Sequence, residues 1–254
     1  MTYKFDAPQF AGYPPIEAIF PAPAAATPYR LPVPAGLIAT AEDPVFGPGE
    51  FIFARANGSI RQYGLCVLTP VWDATNKVFQ MNMTECPNTA NLGRPVYVAQ
   101  CQGALTSGQY AWFLNSGVTP IYGTASVAAD MTFGITAAGQ VGANSAGKQI
   151  VNARVVTPAT QTVVTAVVGA GAAIGERVIP VQNTQGLFVG GYVAGTGIPA
   201  GASIVAIDQV SSTITISADL TAAAAGNVTQ TANNATIFYN IAHLDRAFAQ
   251  GAIT

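Results

Sequence analysis

The stretch Phe51-Ile-Phe-Ala-Arg-Ala-Asn-Gly-Ser-Ile-Arg-Gln-Tyr63 sets an apolar, aromatic run against Asn57-Gly58 and a second run that starts at Ile60. Asn-Gly accepts the left-handed backbone that both centres of a type I′ turn require, so the stretch reads as two strands joined in a tight hairpin. The same rhythm continues outward. Phe79-Gln-Met-Asn-Met83 alternates apolar and polar residues, which places Phe79, Met81 and Met83 on one face of a strand. Further short apolar runs lie at 95–100, 110–114, 131–135, 149–156 and 236–241, and residues 73–77 between two runs read as a turn. The pattern predicts an all-β fold, an antiparallel barrel or sandwich over 45–157. Helix signals are scarce, and only 241–250 could make a short terminal helix.

Two flanking regions differ from this body. Residues 1–44 hold nine of the 17 prolines, interleaved with Tyr3, Phe5, Phe10, Tyr13, Phe20 and Tyr29. Proline fixes φ and removes donors, so the segment is expected to be extended. Its aromatics are the candidate anchors of an arm, docked on a neighbouring subunit or folded back on its own domain. From 158 to 234 the chain turns to Ala, Gly, Val, Thr and Ile, with four charged residues: Glu176, Arg177, Asp208 and Asp219. Strand-like runs at 177–181, 203–207 and 213–217, separated by Gly-rich turns, read as a small β-sandwich. The more aromatic residues 235–254 then return to the main domain if the module is inserted, and follow it if the two stand in tandem.

Charge limits the possible functions. The 254 residues carry 10 Lys and Arg, 12 Asp and Glu and one histidine, His243, for a net charge of −2. No basic surface is available for a phosphate backbone, so nucleic acid is not an expected partner. No run of about 18 apolar residues appears, so no membrane helix is expected. The start, Met1-Thr-Tyr-Lys-Phe-Asp6, lacks the basic and apolar regions of a signal peptide, which points to a protein made in the cytoplasm. Cys66, Cys86 and Cys101 show no metal-ligand pairing and read as buried thiols.

Motifs that could carry chemistry fall short of it. Gly142-Ala-Asn-Ser-Ala-Gly-Lys-Gln149 approaches a phosphate-binding loop, but Gln149 stands where the metal-binding hydroxyl belongs and a strand-like run follows instead of a helix. Gly195-Thr-Gly-Ile-Pro-Ala-Gly201 has the wrong spacing for a dinucleotide fingerprint. His243 and Asp245 would point apart on a helix, so no acid–base pair is assigned. Trp72, Tyr110, Trp112 and Phe113 offer aromatic faces for a sugar, or packing for a core. No catalytic residue, cofactor or metal is expected.

Two segments resemble known families. Gly108-Gln-Tyr-Ala-Trp-Phe-Leu-Asn-Ser-Gly-Val-Thr-Pro-Ile121, followed by Ala125-Ser-Val-Ala-Ala129 and Gly139-Gln-Val-Gly-Ala143, resembles the small β-barrel proteins that decorate tailed-phage heads. Residues 173–231 resemble small sandwich modules of phage virion proteins. The resemblance implies a non-enzymatic decoration or cement protein on the capsid exterior. Its partners would be the major capsid protein and itself as a homotrimer. A head-fibre, collar or tail component and a host-glycan-binding module are the alternatives.

Overall fold

The computed structural model describes residues 4–5, 15–22, 31–43, 45–74, 77–169, 172–234 and 237–252, with no helix among them. The chain divides into two compact units, Thr2–Pro158 with Asn240–Thr254, and Ala159–Tyr239. The second is thus inserted into the first, and it includes residues 235–239.

In the first unit the strands are β1 (Lys4–Phe5), β2 (Ile38–Asp43), β3 (Gly47–Ala56), β4 (Leu65–Asp73), β5 (Val78–Glu85), β6 (Val96–Ala99), β7 (Tyr110–Gly123), β8 (Phe133–Ala137), β9 (Gln140–Ala143) and β10 (Ile150–Thr157). Strands β3, β5, β4, β6 and β7 form a closed ring, since β7 pairs back onto β3. Closure removes the exposed edges that an open sheet would leave. The β3–β5 pairing is parallel and brief, Arg55 to Asn82 and Ala56 to Met83; the other four pairings are antiparallel.

The stretch 51–63 forms its first strand but not the hairpin. Phe51 pairs with Leu114 and Phe53 with Trp112 on β7, about 60 residues downstream in sequence. At the end of β3 the Ala56 N–H is donated to the Gln109 carbonyl at 2.7 Å, and the Asn57 N–H to that of Met83 at 2.8 Å. With those partners already satisfied, Ile60 leaves to pair with Leu105. Long-range burial decides here: Phe51, Phe53, Trp112 and Phe113 are all fully buried, and each such side chain contributes roughly 1.5–3 kcal/mol. A local turn preference cannot match that. The opposite face of β3 carries Ile52, Ala54 and Ala56, which pack with Cys66, Met83, Ala99, Cys101, Ala111 and Phe113. Gly117 lets β7 continue past this region; at φ 132° a side chain would be strained, and its Cβ would stand 2.9 Å from the Pro48 carbonyl oxygen.

The described residues of 1–44 are not extended throughout, since turns interrupt them at 16–17 and 35–36. β2 lies against β3 from Ile38–Ile52 to Asp43–Gly47, and Ile16 and Val33 are buried. Phe20 exchanges backbone hydrogen bonds with Tyr110 at 2.9 and 2.8 Å. These contacts belong to the chain's own domain. Prolines at 15, 21, 32 and 34 interrupt the segment without preventing a regular strand once they end.

The inserted unit contains β11 (Thr162–Ala166), β12 (Val178–Pro180), β13 (Tyr192–Thr196), β14 (Ile204–Asp208), β15 (Thr213–Ile216) and β16 (Ala225–Thr231). They form two three-stranded antiparallel sheets, β11-β16-β13 and β12-β15-β14. Thr213-Ile-Thr-Ile216 buries both isoleucines, with Ile179, Ile204 and Ile207 from its own sheet and Val193 and Val228 from the other. This is the sandwich its alternation predicts. All four charged residues hold turns or pair with each other. Asp208 accepts from the Val210 and Ser211 N–H groups, Glu176 from the Ala173 N–H, and Arg177 pairs with Asp219. Tyr239 stays with this unit through its N–H to the Ala232 carbonyl and an edge contact with Phe188.

The final strand, β17 (Phe238–Ala249), stands where 241–250 could have made a terminal helix. β10 offers it a ladder, and Ala242, Leu244, Ala247 and Ala249 are buried along it. Helix propensity is a weak prior, and a ladder partner overrides it.

Candidate functional site

Of the expected arm anchors, Tyr3, Phe10, Tyr13 and Tyr29 lie outside the described residues, as does the side chain of Phe5. Phe20 packs edge-on to Phe53, ring centroids 5.8 Å apart, within its own domain. The four aromatics read as a sugar platform are not brought together as one. Trp112 and Phe113 are fully buried, and Tyr110 stacks on Phe53. Trp72 alone among them is well exposed.

Trp72 belongs to an exposed hairpin end. β4 and β5 pair from Cys66–Glu85 out to Asp73–Val78. Among the described residues only their inner ends meet other strands: β4 pairs with β6 at Leu65–Val67, and β5 with β3 at Asn82 and Met83. Beyond that, among the described residues, the two strands pair with each other alone. Trp72 and Phe79 are direct cross-strand partners, ring centroids 5.2 Å apart at 61°, and are 53% and 61% exposed. Val71 and Val78, exposed as well, lie diagonal to one another on the opposite face. A side-chain ladder supports this end: Gln80 donates to Asp73 at 2.6 Å, and Arg55 reaches Gln80 and Asn82 at 3.4 Å. Counting outward from the 73–77 turn would pair Trp72 with Val78; the true register, with Asp73 already in the strand opposite Val78, sets Trp72 against Phe79.

A second feature is a polar cleft of about 450 Å³ lined by Asp130, Thr132, Asn152, Ala153, Arg154, His243 and Asp245. Its residues come from the segment before β8, from β10 and from β17. Arg154 faces His243 across the β10–β17 ladder, and its guanidinium stands 3.5 Å from the Asp130 carboxylate. A bulge shapes the cleft. Val151 pairs with Phe248 and Ala153 with Leu244, so Asn152 stands opposite the three residues 245–247. Asn152 and Arg246 both adopt left-handed backbone, φ 58° and 45°. Asp245 lines the cleft, whereas Arg246 reaches Glu50 at 3.0 Å. Because residues 241–249 lie in a strand, His243 and Asp245 do not point apart as they would on a helix. They line one cleft.

The near-match to a phosphate loop connects β9 to β10, with Gly147 at φ 74° and the Lys148 ammonium donating to the Asn88 side-chain carbonyl at 2.8 Å. The strand that follows it presents no helix N-terminus for a phosphate. Residues 195–201 carry the chain from β13 in one sheet of the inserted unit to β14 in the other. Among the described residues no three His, Cys, Asp or Glu side chains gather as a metal site.

The fold and these two surfaces define an all-β protein with an exposed aromatic hairpin and a charged cleft. No family model, curated protein or solved structure matches the chain.

Proposed function

We propose that the chain is a structural, non-catalytic protein of a tailed-phage particle that decorates the outside of the head, with the β4–β5 hairpin as its docking element. The observation that carries docking is the Trp72–Phe79 pair, exposed at the end of a two-stranded ribbon that no further strand flanks among the described residues. A ribbon of that kind is marginally stable in water, and its free edges and apolar tip gain most when a partner covers them. Low charge supports the same reading, since few ions have to be stripped of water on association. The virion context rests on the resemblance of 108–143 and 173–231 to phage proteins. Self-association as a trimer belongs to the same proposal.

Antibodies raised against the recombinant protein should label phage heads at many positions in particles released by the producing culture. Trp72→Ala with Phe79→Ala should abolish co-sedimentation with heads. Labelling confined to tails or to one vertex, or absence from particles, would overturn head decoration. A measured solution mass other than three chains would remove the trimer.

A further inference from the structure

We propose that the cleft between Asp130, Arg154, His243 and Asp245 binds a neutral saccharide, independently of any attachment to a particle. The chain has few charged residues, yet this one cleft gathers Asp130, Arg154, Asp245 and the sole histidine. The fold holds those groups in unusual backbone. Asp130 is left-handed at φ 59°, like Asn152 and Arg246, so three of the seven non-glycine residues with positive φ among the described residues meet at or beside the cleft. Such outliers persist where the surrounding structure enforces them, and they concentrate at binding sites. Here the enforcement is visible: the Asp130 N–H is donated to the Val155 carbonyl at 2.8 Å, and the Val155 N–H to that of Met131 at 3.0 Å.

The lining selects the ligand class. Ala153 is the one apolar residue, so an apolar ligand or the side chain of an apolar peptide finds no pocket. An anion would face the carboxylates of Asp130 and Asp245, and a cation would face Arg154. A sugar hydroxyl both donates and accepts. Vicinal hydroxyls can donate to the carboxylates and accept from the Arg154 guanidinium and the Asn152 amide. Hydrogen bonds to charged groups are the stronger class, and sites built around hydroxyls discriminate sharply against ligands that lack them. The cleft, about 450 Å³, is an open one, with the Arg154 and Asp130 side chains 61% and 83% exposed, so it would hold one face of a sugar ring and leave the rest in water.

The test is an immobilised panel of neutral and acidic glycans probed with the full-length protein, followed by NMR titration with the methyl glycoside of whichever neutral sugar is retained. Saturable binding to a neutral glycan is expected. It should weaken at least tenfold in Arg154→Ala and in Asp245→Asn, both exposed positions, and be unchanged in Lys148→Ala. The thermal transition of each variant checks its fold, and Asp245→Asn preserves shape if Arg154→Ala does not fold. Retention of no neutral glycan, retention of acidic glycans alone, or binding that survives both substitutions would overturn the proposal.

Discussion

Thr157 and Ile241 face each other as antiparallel partners at one end of the β10–β17 ladder, although Ala159–Tyr239 form a separate compact unit between them in sequence. Partners in such a ladder have Cα atoms about 4.5–5.5 Å apart, a gap that a two-residue turn can bridge. At the inserted unit's own ends the Asn233 amide donates to the Ala159 carbonyl at 2.9 Å. Replacing 159–239 by a short Gly/Asn linker should therefore leave the first unit folded. Circular dichroism and a thermal scan would check this; loss of soluble, β-rich protein would show that the inserted strands are needed by the main core.

Removal of residues 1–40 should destabilise the first unit. The deletion takes away the buried Ile16 and Val33, the Phe20–Phe53 contact and the first half of β2. Losing one large buried aliphatic costs about 2–5 kcal/mol on its own. Urea midpoints of the truncated and full chains provide the comparison, and equal midpoints would restore a free docking arm.

At the β4–β5 hairpin, stability and attachment should separate. A cross-strand aromatic pair is worth about 0.2–1 kcal/mol, so Trp72→Ala with Phe79→Ala should lower stability by that order while abolishing head binding. Acrylamide quenching offers an independent readout. Trp72 is exposed and Trp112 fully buried, so the quenchable fraction of tryptophan fluorescence should vanish in Trp72→Phe and persist in Trp112→Phe.

The Glu50–Arg246 pair predicts a pH dependence. Its hydrogen bond to Arg246 holds the Glu50 carboxyl below its ordinary value; partial burial opposes the shift, and a hydrogen bond from Asn115 adds to it. A carboxyl depressed in the folded state contributes stability above its unfolded pKa, about 4.3, and that contribution is lost as pH falls through the lower folded value. Glu50→Gln should thus be less stable than the parent at pH 7, with the gap closing in acid. A gap independent of pH would assign the loss to packing.

The three thiols should be silent in the folded protein. Burial pushes Cys86 and Cys101 up to about 12, and burial first, then the neighbouring Cys101, pushes Cys66 well above its ordinary value. The thiolate is the reactive form. A thiol reagent at pH 8 should therefore titrate no cysteine in the native protein and all three in guanidinium. Rapid reaction of any of them under native conditions would show a local opening of the barrel.

Sequence by itself determined the strand-forming runs and the sandwich character of the inserted unit, because period-two alternation such as Thr213-Ile-Thr-Ile216 fits a pleated surface buried on one side. It also determined that the break in composition near 158 marks a second unit. Tertiary structure alone decided which strands pair. Asn57-Gly58 favours a local hairpin, yet Phe51 and Phe53 bury more apolar surface against Leu114 and Trp112, and burial is blind to sequence distance. Likewise residues 241–249 became a strand because β10 offers them an antiparallel ladder. The cleft was illegible for the same reason. Asp130, Arg154 and His243 come from separate segments, and Asp245 reaches the cleft where a bulge interrupts the ladder, which no one-dimensional pattern encodes.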